Sequence, residues 1–186
     1  MLFFTINRKE MAAMDNLLST KKSWDIGRYG QIGIAVALLF ASGCIRYDFS
    51  GVPFTMQSQA VLLIAMCYPR ELALRSVAYY VLLWMGLMPF LGGFPTVFGA
   101  TFGYLMGFLI ATLYVNRRLN YSDNGDFSGI ISAGLGAQLI IWGCGYLWLV
   151  WLLDMTTAFY VGVVPFVVID LIKLASVLAI VKALKR

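Results

Sequence analysis

A series of apolar runs too long for the core of a soluble domain constrains this chain more than any other feature. They cover about residues 30 to 47, 72 to 90, 99 to 116, 129 to 152 and 159 to 181. As a helix, each can cross roughly 30 Å of hydrocarbon. Lipid offers the backbone no hydrogen-bond partners, so such runs must be helical. A sixth run, about 55 to 68, is shorter and opens with Thr55, Gln57, Ser58 and Gln59. Its polar end suits either a tilted span reaching a cavity or a re-entrant segment.

Charge placement decides between five spans and six. With the N-terminus in the cytoplasm, Lys21, Lys22 and Arg28 lie inside, followed by Arg70 and Arg75, Arg117 and Arg118, and finally Lys182, Lys185 and Arg186. Arg46, Asp48 and Asp154 fall opposite them. Six spans satisfy the positive-inside bias at every turn, whereas five would leave the last basic cluster outside. The net charge of +5 then reports orientation, and a nucleic-acid partner is not needed to explain it. At 61% hydrophobic and 12% charged, the chain falls well short of the quarter or so of charged residues usual in soluble domains. The expected fold is an all-α integral membrane protein with both termini cytoplasmic. Residues 29–186 form one six-helix domain after a cytoplasmic leader or surface helix at 1–28, whose short FFTI run is no signal peptide.

Several function classes are excluded. The sequence contains no histidine, which removes His-based triads, zincin motifs and His proton relays. No GxxxxGK[ST] occurs, so uphill transport would draw on a partner or an ion gradient. Cys44, Cys67 and Cys144 stand singly, without metal or redox spacing, and are expected as small packing residues. No catalytic residue, metal ligand or cofactor is expected, and a membrane enzyme or scaffold is the least supported class.

Asp170 and Lys173 lie deep in the run GVVPFVVIDLIKLASVLAIV. A charge near the bilayer centre costs roughly 2.5 to 3.5 kcal/mol on insertion scales, which makes the pair the first candidate for function. Their i, i+3 spacing puts both heads on one helix face. They either neutralise each other and fix helix packing, or line a polar cavity where a solute meets both charges. The sequence favours the cavity, because two outer connections, DFSGVPFTMQ and MPFLGGFPTVFGATFGYLMGF, are apolar and rich in Gly and Pro. Irregular backbone at membrane depth must be buried or line a cavity. Gly92, Gly93, Gly99 and Gly103 would permit close approach or positive φ.

Other signals are weaker. Gly33, Ala37 and Ala41 recur every four residues on the first helix, a smooth stripe for a neighbouring helix or for a partner. Trp142, Tyr146, Trp148 and Trp151 suit an interfacial belt, with Trp142 or Tyr146 facing a ligand as the alternative. Gln138, one turn before Trp142, is an amide that needs a partner. The chain shows no internal repeat, which disfavours a self-sufficient alternating-access carrier.

The runs VPFTMQ, GATFGYLMGF and VVPFVVIDLIK occur in that order. Together they resemble the signatures VPxTLQ, GPTGGYLxGF and LPFLPGDLLK of the BioY family, over nearly the whole chain from about residue 30. That resemblance implies a six-helix S-component of an energy-coupling factor importer in the bacterial cytoplasmic membrane. Such a component binds biotin in a pocket capped by outer loops, and a separate T-component with two ATPases drives release. Matching positions put Thr101, Gly103 and Tyr104 in the pocket loop, Asp170 and Lys173 on the last helix, and Thr55 and Gln57 at the start of the second. The chain departs from the pattern at Phe102 and Ile169, where the family usually has glycine. A proton-coupled carrier of biotin or another carboxylated solute, in which Asp170 titrates, is the alternative. Which end of the solute meets which charge stays open.

Overall fold

The computed structural model describes residues 27–49, 52–92, 98–121 and 127–184. Helix α1 covers residues 27–44. It is followed by strands β1 (Arg46–Phe49) and β2 (Val52–Thr55), then helices α2 (Gln57–Cys67) and α3 (Arg70–Gly92). The chain continues with α4 (Phe102–Tyr121), α5 (Phe127–Leu152), α6 (Met155–Gly162) and α7 (Val164–Leu184). Most of the expected leader, and with it Lys21 and Lys22, lies outside the described residues, as do Gly93, Lys185 and Arg186. Among the described residues, two helical segments, Phe127–Leu152 and Met155–Leu184, are long and apolar enough to cross a membrane.

A helix occupies each of the six apolar windows, yet the structure departs from the expected layout in three places. First, Arg46 to Thr55 forms an antiparallel hairpin with Arg46 opposite Thr55 and Tyr47 opposite Phe54. Tyr, Phe, Val and Thr suit a pleated backbone, and Pro53 is tolerated because a two-stranded sheet consists only of edges. The Met56 N–H anchors the hairpin by donating to the Ser42 carbonyl at 3.2 Å. Second, α3 runs on to Gly92, so the start of the second expected loop is helical. Third, the last window is split at Val163, with φ −120° and ψ −57°. Pro165 sits in the first turn of α7, where its missing N–H costs nothing.

Asp154 starts α6, its Oδ1 accepting the Thr156 and Thr157 amides at 3.0 Å each. Hydrogen bonding to the Thr157 side chain, then to its backbone, holds the Asp154 carboxyl below its usual range. The cap is therefore at full strength above the ordinary carboxyl pKa and weakens as pH falls through the depressed one.

The core is shared by Val61, Leu62 and Ile64 of α2, Val77 and Tyr80 of α3, Val115 of α4, Ile141 of α5 and Val177 of α7. The tightest pairing is between α4 and α5, where glycines let the helices close up. A Cβ on Gly107 would lie 3.0 Å from the Ile141 Cα, and one on Gly145 would run into the Tyr104 ring. Cys144 is half-buried in this seam, but Cys44 and Cys67 are exposed, against expectation. Each is the last residue of its helix. On α1, Ile32, Ala35, Leu39 and Ser42 turn inward. Gly33, Ala37 and Ala41 lie on its exposed face, so packing within the described chain does not use the small-residue stripe. The outward faces of α5 and α7 carry Leu139, Leu147, Val168 and Ile172. Lipid suits such a surface, and water does not.

Gly145→Ala should cost about 1–3 kcal/mol by overpacking against Tyr104. Gly143→Ala, whose added Cβ has nothing within 4 Å, should stay within about 0.5 kcal/mol of the parent. Melting in detergent separates them, and equal effects would contradict this packing.

Candidate functional site

Asp170 and Lys173 lie one helical turn apart on α7 and point inward, 3% and 5% exposed. Lys173 Nζ donates to Asp170 Oδ1 at 2.9 Å. Its other contacts are the Thr55 carbonyl at 2.6 Å and Ser58 Oγ at 3.2 Å, which accounts for all three ammonium protons. The ammonium also stands 3.8 Å from the centre of the Phe54 ring, which stacks on Phe166. Asp170 Oδ2 accepts from Gln138 Nε2 at 2.9 Å and from the Trp142 indole at 2.8 Å. Ser58 Oγ donates to Oδ1 at 3.3 Å.

Charge pairing and cavity lining, set against each other in the sequence, coexist in the structure. The charges neutralise each other, and both line a cavity of about 280 Å³. That volume is near the lower end of small-molecule sites, roughly 300 Å³. Gln138, read from sequence as an amide in need of a partner, has found the carboxylate. Trp142 faces inward, whereas Trp151 is 74% exposed. Trp142 and Gln138 grip Asp170 without lining the cavity.

Thr55, Gln57, Thr101 and Tyr104 all line the cavity. The Thr55 hydroxyl donates to Gln57 Oε1 at 3.0 Å, and the Gln57 amide donates to the Tyr80 hydroxyl. The Tyr104 hydroxyl donates to the Gly162 carbonyl at 2.6 Å, tying the cavity wall to the end of α6. Gly103 is placed differently. It does not line the cavity but gives α4 a close approach to α5, where an added Cβ would lie 2.6 Å from the Cys144 carbonyl oxygen. The apolar walls include Phe40, Trp84, Leu105, Phe108, Ile141 and Phe166.

Sequence reasoning missed Arg46 and Tyr80 as site residues, and it had Ser58 only as part of a polar helix start. Arg46 was counted as an outer charge, but the hairpin register pairs it with Thr55 and brings it to the cavity. No hydrogen bond or ion pair holds its guanidinium among the described residues. The SG dipeptide between RYDF and VPFT is the turn signal that could have revealed the hairpin.

Fold and site define a class: a helical membrane protein enclosing a small, polar-ended cavity. The chain belongs to the BioY family, whose family model matches residues 14–186. It is 34% identical over 159 residues to the biotin transporter BioY of Thermotoga maritima, covering 83% of this chain and 93% of that protein. It is 29% identical over 158 residues to a probable biotin transporter BioY of Pyrococcus horikoshii, with the same coverage. In fold it matches the S-component for biotin from an ECF-type ABC transporter, with a TM-score of 0.73. That match has 19% identity and covers 88% of this chain and 93% of the other. The family is one of membrane transporters, and the chain is not an enzyme.

Removing one member of the buried pair should be worse than removing both. Lys173→Met strands a buried carboxylate, at about 3–5 kcal/mol. The double variant Asp170→Leu/Lys173→Met should melt above either single variant. A double variant less stable than both would show that the pair's wider network, beyond mutual neutralisation, carries the fold.

Proposed function

We propose that the protein is the biotin-binding component of an importer in the bacterial cytoplasmic membrane, with biotin held between the Asp170–Lys173 pair and Arg46. The observation that carries this reading is the charge layout of the cavity. One end holds a carboxylate and an ammonium that cancel, and Arg46 adds a positive charge with no partner among the described residues. Biotin has a neutral urea in an apolar bicycle and a carboxylate on a flexible chain. The urea suits the neutral pair, and the carboxylate suits Arg46, whose guanidinium can bind it in bidentate fashion.

Ser58 gives this orientation a chemical rationale. Its hydroxyl donates to Asp170 and accepts from Lys173 at 3.3 and 3.2 Å, the longest contacts of the network. A urea offers that same N–H donor beside a carbonyl acceptor. Thr55, Gln57, Thr101 and Tyr104 complete the polar lining, and the aromatic walls take the bicycle. Gly103 supports the site indirectly, through the helix pairing that seats Tyr104.

The remaining organisation is proposed on the same footing. The six helical windows cross the membrane with both termini cytoplasmic, as the basic residues favour. Release is coupled to a T-component and ATPases, and Gly33, Ala37 and Ala41 offer the contact, since they lie uncovered on α1. The proton-coupled carrier has less support. Asp170 receives four protein donors across its two oxygens, the surroundings of a carboxylate fixed in a network.

Equilibrium binding of labelled biotin to the purified protein in detergent tests the solute. Tight binding is expected, weakened in Asp170→Ala and Lys173→Ala by about 1.5–3 kcal/mol, the worth of a hydrogen bond to a charged group. Arg46→Gln should weaken it as well, while biotin methyl ester should be indifferent to that change. A well-folded protein that ignores biotin would overturn the reading, and unchanged affinity in both alanine variants would overturn the site. Separately, Ala37→Leu/Ala41→Leu should reduce uptake in cells supplying the other components without altering binding. Unaltered uptake would move the docking surface elsewhere.

A further inference from the structure

Phe102 stands where the family signature has glycine, and the proposed solute contacts leave it unused. Its ring lies 4.8 Å from that of Trp148 on α5, which also meets Phe98 at 6.5 Å and Trp151 at 5.1 Å. The Trp148 indole donates to the Gly99 carbonyl at 2.9 Å. The Phe102 N–H donates to the same carbonyl at 3.1 Å. Both lone pairs of that oxygen are thus engaged, one by the chain's own turn and the other by a neighbouring helix. Between Gly99 and Phe102 lies Thr101, which lines the cavity. Gly103 adds a third constraint, because a side chain there would collide with the Trp148 Cβ. The first turn of α4 is therefore seated directly on α5.

We infer that Trp148 is a positioning residue, acting through Gly99 and Phe102 to hold the Thr101 segment of the cavity wall in place and so to lengthen the stay of a bound solute. A glycine at 102 would leave the turn its full backbone freedom. Phenylalanine narrows that freedom and adds a ring that grips the indole. Because the clamp stabilises the formed wall, its effect falls on solute departure more than on arrival.

The inference rests on the cavity being the biotin site, and the experiment separates the two. Trp148→Phe keeps the ring and removes the N–H donor, whereas Phe102→Gly keeps the donor and removes the ring. In a chase with unlabelled biotin on the full-length protein in detergent, each should speed dissociation roughly tenfold, as expected for one lost hydrogen bond or ring contact. Association should stay within about twofold, with little change in melting temperature. The double variant should fall short of the product of the singles, since the two residues act as one unit.

Hydrogen exchange on residues 98–105, without biotin, reads the clamp directly. The Phe102 amide should exchange faster in Trp148→Phe. Unchanged exchange overturns the clamp, and faster exchange with unchanged dissociation overturns its role in residence time. If the parent protein does not bind biotin, the proposed solute fails while exchange still decides the clamp. Should Trp148→Phe misfold, Phe102→Gly carries the same comparison.

Discussion

The carboxylate of Asp170 is the point on which the site depends. In a helix otherwise built for lipid, a buried ion is tolerable only when its partners replace water, because stranding one costs several kcal/mol. Those partners come from separate elements. Ser58 belongs to α2, Gln138 and Trp142 to α5, and Lys173 to α7 itself. The demand of one ion for donors thus sets three helices against each other. Lys173 extends that demand to the hairpin by donating to the Thr55 carbonyl, and the hairpin in turn brings Arg46 to the cavity. Satisfying the buried charge and shaping the cavity are a single arrangement.

Around this polar centre the helices are brought close by the absence of side chains. Gly103 and Gly107 of α4 face α5, and Gly145 of α5 receives the Tyr104 ring. Lipid tails give apolar helices little reason to prefer one another, so contact area gained through small residues does much of the work. The Tyr104 hydroxyl then meets the last carbonyl of α6. Glycine spacing on one helix pair thereby fixes an aromatic wall of the cavity.

The sequence made some of this legible because lipid simplifies the reading. A run of apolar residues has one structural outcome, and an ionisable residue inside it stands out, as Asp170 and Lys173 did. Gln138 was legible for the same reason: a buried amide must pair. What was hidden depends on short-range choices that composition does not settle. RYDF and VPFT read as loop because each is only four residues long and takes its stability from the partner strand. The break at Val163 was masked by apolar residues on both sides, although Pro165 marks a helix start. Arg46 could not be placed without the hairpin register. Gly103 was legible as a close approach, but only the packed helices show that it faces α5 and not the cavity.

The separation between Asp170's keepers and the cavity's walls has an evolutionary consequence. Gln138 and Trp142 hold the ion from behind, while Phe40, Trp84, Leu105 and Phe108 shape the enclosed volume and carry none of its charge. Substitutions among those wall residues can redraw the cavity without stranding the carboxylate. A lineage carrying this scaffold could therefore reshape the cavity by small apolar steps, each of which leaves the donors to Asp170 in place.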